Sequence, residues 1–478
     1  MKLSRLFANI AYEKMTGDGD VEVRGLCTNT QNIKEGDLFI CYCGMNCDSH
    51  NLIADIEKSG AVAVVCERDV VCSLPKVIVK GGRASVATIA AEFYSHPEKK
   101  LKLVSVTGTN GKTTTTYMLK SIFDQKGYKS AIIGTLGVLY GDIFVSPQLT
   151  TPDPVFMYSL FADMVRRGVE YVFMEVSAHA IYFDKIAGLK FEAGIFTNCT
   201  QDHLDFFGDM KGYAACKASF FESGRCKIAV VNADDRLGLK LLKECDNAIS
   251  YGLENPSDCF AVNISESLEG TTFVINLSDE LYEIGLNLAG RHNVYNALAA
   301  ATCAHILGVD IATIAEGLGK LKSVPGRLER VASHNGGEVF VDFAHTPDGL
   351  EKSLAALRKL CKGKLYCLFG CGGNRDASKR PIMGKIAAKL ADFVIITSDN
   401  PRYEDPYDII SQIEKGVDEV GGKYVSVTDR EVAIEYALNI ISQGDVLLIA
   451  GKGGETYQEI MGVRHSYSDN IVIKKLIG

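Results

Sequence analysis

Short runs that stay apolar at consecutive positions recur along the whole chain, and most are followed by a stretch with helical spacing. Residues 101–107 form one such run, centred on Leu103, Val104 and Val106, and predict a buried strand. Beyond it, Met118, Leu119, Ile122 and Phe123 share one face of a helix predicted over 113–125, which Gly127 closes. Strands are also predicted at 38–40, 62–65 and 77–79, with a helix over 85–94. Others follow at 171–174, 193–196 and 228–231, and a last group at 339–343, 365–369, 393–397 and 446–450. Strands apolar on both faces need helices above and below them, so the fold class is α/β with parallel sheets. Two turns divide the series. Ser95-His96-Pro97-Glu98-Lys99-Lys100 stops a helix at its proline, and Val324-Pro325-Gly326 marks the second break. The chain therefore reads as three domains, at 1–100, 101–327 and 328–478, the last a Rossmann-like doubly wound sheet.

The strand at 101–107 runs into Gly108-Thr109-Asn110-Gly111-Lys112-Thr113-Thr114. Glycines that let backbone N–H groups face phosphate oxygens, a lysine to add charge and a threonine able to ligate Mg²⁺ make this a triphosphate cradle. The central sheet is thus of the P-loop type. Glu175 and Asn198 follow two further strands, at the carboxyl edge where such sheets place ligands. In the last block, three strands lead into polar loops: Gly370-Cys371-Gly372-Gly373-Asn374-Arg375-Asp376, Ser398-Asp399-Asn400-Pro401-Arg402 and Gly451-Lys452-Gly453-Gly454-Glu455. Three such loops on one edge predict a second site.

Composition narrows the partners. A chain of 478 residues is too long for one core, and a formal charge of −8 argues against nucleic-acid or anionic-membrane surfaces. No stretch offers the roughly 18 uninterrupted apolar residues of a membrane span, so a cytoplasmic protein is expected. Fifteen cysteines cannot all pair, and in a reducing compartment most serve as small buried hydrophobes. Cys41, Cys43 and Cys47 lack the paired Cys-x-x-Cys knuckles of structural zinc. No Gly-x-Ser-x-Gly elbow or Ser-His-Asp spacing is present.

Taken in order, the phosphate loop, Glu175-Val176-Ser177-Ala178-His179, Thr197-Asn198 with Asp202-His203-Leu204-Asp205, Asn232-Ala233-Asp234-Asp235, Gly290-Arg291-His292-Asn293-Val294-Tyr295-Asn296-Ala297 and Gly326-Arg327 resemble the Mur ligases over nearly the whole length. The resemblance implies an ATP-dependent amide ligase acting through an acyl phosphate, with Asp399-Asn400-Pro401-Arg402 pointing to addition of meso-2,6-diaminopimelate to UDP-N-acetylmuramoyl-L-alanyl-D-glutamate. It implies catalytic roles for Lys112, Glu175, His203 and Lys217, and Mg²⁺ ligation by Thr113, Glu175, His203 and a carbamylated Lys217. ATP is expected on Gly108, Thr109, Asn110, Gly111, Lys112, Thr113 and Thr114, on His292, Asn293 and Asn296 at the adenine, and on Arg327 and Asp342. The UDP-sugar peptide falls to Thr28, Thr30, Met45, Asn46, Cys47, Thr150, Thr151, Ser177 and Lys185. Diaminopimelate falls to Arg375, Asp399, Asn400, Pro401, Arg402, Gly451 and Glu455. The first domain is implied to bind UDP, the last the amino acid, and the protein is expected to be a monomer.

Departures from the family pattern cluster on the sugar side. The usual Asp-Ser-Arg is Asn29-Thr30-Gln31, an arginine is replaced by Lys185 and a glutamine by Phe183. In the last block Asn374 stands for an aspartate and Gly454 for a histidine. Three rivals remain: an L-lysine-adding ligase of the same step, a related amide ligase of specialised metabolism, and a silent ATP-binding regulator. Arg402 with Glu455 speaks against the first two. The presence of Lys112, Glu175, His203 and Lys217 speaks against the third.

Overall fold

The structure, a computed structural model, describes residues 1–44, 47–146 and 149–478. The expected sugar-side residues Met45 and Asn46 lie outside the described residues. Contacts gather the chain into two units that it threads alternately: Met1–Thr107, Tyr128–Gly194 and Cys216–Ala229 form the first, and Gly108–Gly127, Ile195–Ala215 and Val230–Gly478 the second.

In the first unit, β1 (Lys14–Thr16), β2 (Gly25–Cys27), β3 (Asp37–Ile40), β4 (Ala63–Cys66) and β5 (Lys76–Ile78) form a sheet in the order β1-β5-β4-β3-β2. Strands β2 to β5 pair in parallel, and only β1 runs antiparallel. Phe39, Cys41, Val64 and Cys66 pack with Ile53 and Ile56 on one face. The helix Gly82–Phe93 follows β5 and starts three residues earlier than its apolar spacing indicates, because Gly81, at φ +110°, turns the chain into it. A second sheet follows, with β6 (Lys102–Thr107), β7 (Ser130–Gly134), β8 (Gly137–Tyr140), β9 (Ile143–Val145), β10 (Tyr171–Glu175) and β11 (Phe191–Phe196), along which the chain passes into the second unit. Their order is β11-β6-β10-β7-β8-β9. β10 lies parallel to β6 and β7, as apolar strands crossing through helices should. The antiparallel meander β7-β8-β9 was not predicted.

The second unit begins with the phosphate loop and the helix Lys112–Gln125, against which Arg291–Ile306 and Ile311–Lys320 pack. One run of strands, β12 (Cys226–Asn232, of which 226–229 belong to the first unit), β13 (Ala248–Gly252), β14 (Cys259–Glu266), β15 (Thr271–Leu277) and β16 (Glu280–Leu286), is ordered as numbered, with β14, β15 and β16 antiparallel. The other sheet contains β17 (Glu329–His334), β18 (Gly337–Asp342), β19 (Leu365–Phe369), β20 (Phe393–Ile396), β21 (Tyr424–Ser426) and β22 (Val446–Ala450), ordered β17-β18-β22-β19-β20-β21. All its pairs are parallel except β17 with β18. Alternate residues of one strand feed two cores: Leu365, Cys367 and Phe369 meet Leu350, Leu354 and Met383, while Tyr366 and Leu368 meet Ile434, Ala437 and Val472. Helices on both faces make the sheet doubly wound. A hairpin of β23 (Tyr457–Ile460) and β24 (Val463–Ser466) follows β22. Arg430 is buried against Asp469, with both carboxylate oxygens at 2.8 Å, and also donates to the Ala450 carbonyl at 3.0 Å. Among the described residues no helix is long and apolar enough to cross a membrane.

Candidate active site

The phosphate loop lies in the second unit and is braced by the segment after β11. Thr109 donates its N–H to the Asn198 carbonyl at 2.8 Å, and the Asn110 N–H reaches Asn198 Oδ1 at 2.9 Å. The Thr197 hydroxyl donates to the Asn110 carbonyl at 2.6 Å. These bonds fix the shape of the loop. Gly111, at φ +88°, has room for no side chain, because a Cβ there would collide with Asn296 Oδ1. Lys112 Nζ sits on the Gly108 and Thr109 carbonyls at 2.9 and 2.8 Å, and Thr113 is buried, its hydroxyl accepting from Arg327 Nη2 at 3.1 Å. Arg327 also stacks on Phe343, 4.4 Å from the ring centroid. Asp348 joins the group unpredicted: it accepts from Asn110 Nδ2 at 2.7 Å and Thr200 Oγ1 at 3.1 Å. In sequence Asp348 reads as an acid placed in the first turn of the helix Pro347–Leu360, a sufficient reason by itself.

Asn293 and Asn296 are buried and bonded to each other at 3.1 Å. The His292 ring lies against Gly290 on the same helix start. Desolvation of this ring, reinforced by the Lys352 ammonium, lowers its pKa from 6.5 to about 4. The folded protein therefore resists protonation there while the unfolded chain does not. His292 contributes stability above pH 6.5 that is lost as pH falls towards 4. An NMR titration should give a ring midpoint near 4, and His292→Gln should flatten the dependence of the urea midpoint on pH across this window; a midpoint near 6.5 would contradict the burial argument. Asp342 does not present a free carboxylate. Its oxygens accept from the Leu328 and Ala344 N–H groups and from Ser353 Oγ, and burial raises its pKa. His203 is exposed, with Nε2 3.4 Å from Asp202 and its ring edge-on to Tyr213.

In the first unit, Glu175 ends β10 and is buried. Its Oε1 accepts from the Thr135 N–H at 2.9 Å and its Oε2 from Thr135 Oγ1 at 3.0 Å, and Thr150 bonds that hydroxyl at 3.1 Å. Thr135, one residue past β7, escaped prediction along with that strand's meander. Thr151 donates to the Glu175 carbonyl at 2.9 Å and meets Ser177, which caps the helix Ala178–Tyr182. Lys217, on the helix Met210–Glu222, is only 1% exposed, which removes the ordinary reading of a solvated helix lysine. Lys185 is paired with Asp153 at 2.8 Å. Thr28 and Thr30 are half-buried at the carboxyl edge of β2, and Cys47 is exposed. No group of three or more His, Cys, Asp or Glu suited to a metal occurs among the described residues.

The three loops of the doubly wound sheet meet as expected. Asp399 and Asn400 are buried beside Lys452, a fully buried lysine whose Nζ bonds Asn400 Oδ1 and Glu455 Oε2, each at 3.0 Å. Asn400 Nδ2 reaches the same Glu455 oxygen at 2.9 Å. Arg402, at φ +53°, places Nη1 on the Gly373 carbonyl at 2.7 Å and Nε 3.3 Å from Glu459. Pro401 and Gly451 are buried, and Arg375 is exposed. Lys452 belongs to one of the three expected loops, but its own role is not legible in sequence, because its partner Asn400 lies on a different loop.

Residues 106–304 match the Mur ligase middle domain, and residues 326–453 match the Mur ligase, glutamate ligase domain. The chain is 42% identical over 476 residues to UDP-N-acetylmuramoyl-L-alanyl-D-glutamate--2,6-diaminopimelate ligase 1 of Clostridium acetobutylicum, covering 98% of this chain and 97% of that one. The corresponding ligase of Caldanaerobacter subterraneus is 39% identical over 480 residues, covering 100% and 99%. A solved structure of a ligase of the same name superposes with a TM-score of 0.70 at 28% identity, covering 100% of this chain and 99% of that one. In fold the chain is also similar to the MurF ligase of Thermotoga maritima, solved in complex with ADP, with a TM-score of 0.64, 21% identity and coverage of 96% and 98%.

Proposed function

Because the chain belongs to the Mur ligase family, we propose that it joins meso-2,6-diaminopimelate to UDP-N-acetylmuramoyl-L-alanyl-D-glutamate, with ATP as the activating substrate, during peptidoglycan assembly. The division at 1–100, 101–327 and 328–478 gives each substrate a domain: the UDP-sugar, ATP and the amino acid in that order. The protein works in the cytoplasm as a monomer, away from nucleic acid and membrane surfaces. The observation that carries the reading is the loop Asp399-Asn400-Pro401-Arg402. Its buried acid and amide meet Lys452 and Glu455, while a guanidinium stands over Gly373. That set suits an amino acid whose far end bears both an ammonium and a carboxylate.

The D-glutamyl carboxylate attacks the γ-phosphate of ATP, and the diaminopimelate amine then displaces phosphate to leave an amide, ADP and phosphate. An anion approaching an anion needs positive charge, which Lys112 supplies from the phosphate loop and Arg327 adds beside Thr113. His292, Asn293 and Asn296 hold the adenine side, and Asp342 supports the Gly326-Arg327 turn from beneath. Thr28, Thr30, Cys47, Thr150, Thr151, Ser177 and Lys185 hold the sugar and its peptide. A single buried carboxylate with threonine hydroxyls fits Mg²⁺, which takes one or two carboxylates and completes its shell from phosphates and water; Thr113 and Glu175 would hold one ion, and His203 with an anion from Lys217 a second. When bound, the ion neutralises charge developing on the phosphoryl oxygens.

Lys217 serves as an anion. Its neutral amine adds to CO₂ and loses a proton, giving a carbamate in a place that excludes water from an ammonium. Lys217→Ala should be nearly inactive, with partial recovery in added short-chain carboxylate, and intact mass under CO₂-retaining conditions should show one extra carboxyl group on the wild type. Full activity in Lys217→Ala would refute this role. The whole reading is tested by phosphate release from purified protein given ATP, the UDP-linked dipeptide and a panel of diamino acids. Release that depends on diaminopimelate is expected; release with L-lysine alone, or none, overturns it.

A further inference from the structure

Arg83 belongs to no motif in the chain, yet its guanidinium is fixed. Its Cζ lies 4.2 Å from the Phe183 ring centroid and 5.1 Å from the Tyr42 centroid. Phe183 is itself steadied by Tyr182, edge-on at 5.0 Å. Arg83 is half-buried, and among the described residues its guanidinium has no hydrogen-bond or ion-pair partner. The nearby carboxylates are engaged elsewhere: Glu67 accepts from the Cys43 N–H at 3.1 Å and Asp153 pairs with Lys185 at 2.8 Å. Contact with two rings restrains a guanidinium and leaves its N–H donors to another partner. The result is a restrained guanidinium whose donors suit an anion.

We propose that Arg83, held against Tyr42 and Phe183, binds the diphosphate of the UDP-linked substrate and supplies the bidentate contact that Lys185 cannot make. The inference rests on the functional reading above. Thr28 follows β2, Tyr42 follows β3 and Arg83 follows β5, and these strands are parallel, so all three share one carboxyl edge. Ser177 and Phe183 follow the carboxyl end of β10. Arg83 therefore joins the edge assigned to uridine and the segment assigned to the sugar and peptide, and between those parts of the substrate lies only the diphosphate. The two departures at 183 and 185 are then one change. Losing an arginine at 185 removes a fork, and gaining a phenylalanine at 183 holds another one still. A guanidinium ordered before binding loses less entropy on binding.

Steady-state kinetics of Arg83→Ala, Arg83→Lys and Phe183→Leu would test this, together with inhibition by UDP and by uridine. Arg83→Ala should raise KM for the UDP-linked dipeptide and the inhibition constant of UDP at least tenfold, while KM for ATP and inhibition by uridine move less than threefold. Phe183→Leu, which keeps the charge and removes one wall, should give about a threefold shift in the same two quantities. Arg83→Lys should fall between them. Equal shifts for ATP and the UDP substrate, or no shift in any variant, would overturn the proposal; should Arg83→Ala fail to fold, Phe183→Leu and Arg83→Lys decide it. Wild-type protein that binds UDP but releases no phosphate would sink the functional reading alone.

Discussion

Lys112→Ala is expected to lower ATP-dependent ligation by about 10²–10³ through turnover, with the fold intact. The lysine lies on its own loop, with Nζ bonded to the Gly108 and Thr109 carbonyls, so removing it forfeits two local hydrogen bonds. Bonds from a charged donor are worth about 1.5–3 kcal/mol each when buried and less on a half-exposed loop, which leaves the loss below a typical net stability of roughly 5–15 kcal/mol. The braces from Asn198 and Thr197 remain and keep the loop in shape. During transfer, however, charge accumulates on phosphoryl oxygens with no other ammonium on the loop to receive it. Phosphate release and thermal melting, measured on the same preparation, separate the two effects. Ligation within threefold of wild type would remove Lys112 from the mechanism.

The second large effect is discrimination. Wild-type protein should prefer meso-diaminopimelate to L-lysine by about 10⁴ or more in kcat/KM, and Arg402→Ala should narrow that ratio by depressing the diaminopimelate value far more than the lysine one. The two amino acids differ by one carboxylate. Arg402 is half-buried and held at Nη1 and Nε by Gly373 and Glu459, which leaves its remaining donors to a planar anion. L-Lysine would close the site over guanidinium donors left without an acceptor, which costs several kcal/mol. Glu455 gives Oε2 to Lys452 and Asn400, so the distal ammonium is left with Oε1. A wild-type preference for L-lysine, or an unchanged ratio in Arg402→Ala, would show that this loop does not read the distal carboxylate.

Most parallel strands could be read from the chain because burial on both faces leaves uninterrupted apolar runs. The strands expected at 365–369 and 446–450 have those bounds in the structure, and β10 runs one residue further, to Glu175. Antiparallel strands escaped, and so did the parallel strands β2, β7, β13 and β21. β15 alternates, with Phe273, Ile275 and Leu277 inward and polar or half-exposed residues between them, a period-two signal that a search for continuous runs passes over. Strands β8 and β9 are short and broken by Gly141, so neither carries enough pattern to register. At the site, motif residues announced themselves and their supports did not. Asn110 and Asp348 are 238 positions apart, and nothing local to Asp348 says that it holds a phosphate loop. Arg83 was invisible for the same reason, since its meaning lies in two rings from other parts of the chain.

The crowding around Gly111 bears on how this protein would respond to an inhibitor. The α-carbon faces Asn296 Oδ1 and the Thr197 side chain closely enough that one added methyl must displace a buried amide, and the backbone there has left-handed φ. A compound gripping the loop by its backbone N–H groups and lying against Gly111 would leave few escape mutations, because the changes that dislodge it also break the braces of the phosphate loop. A compound leaning on the exposed side chain of Asn374 meets no such constraint, and a single surface substitution would shed it.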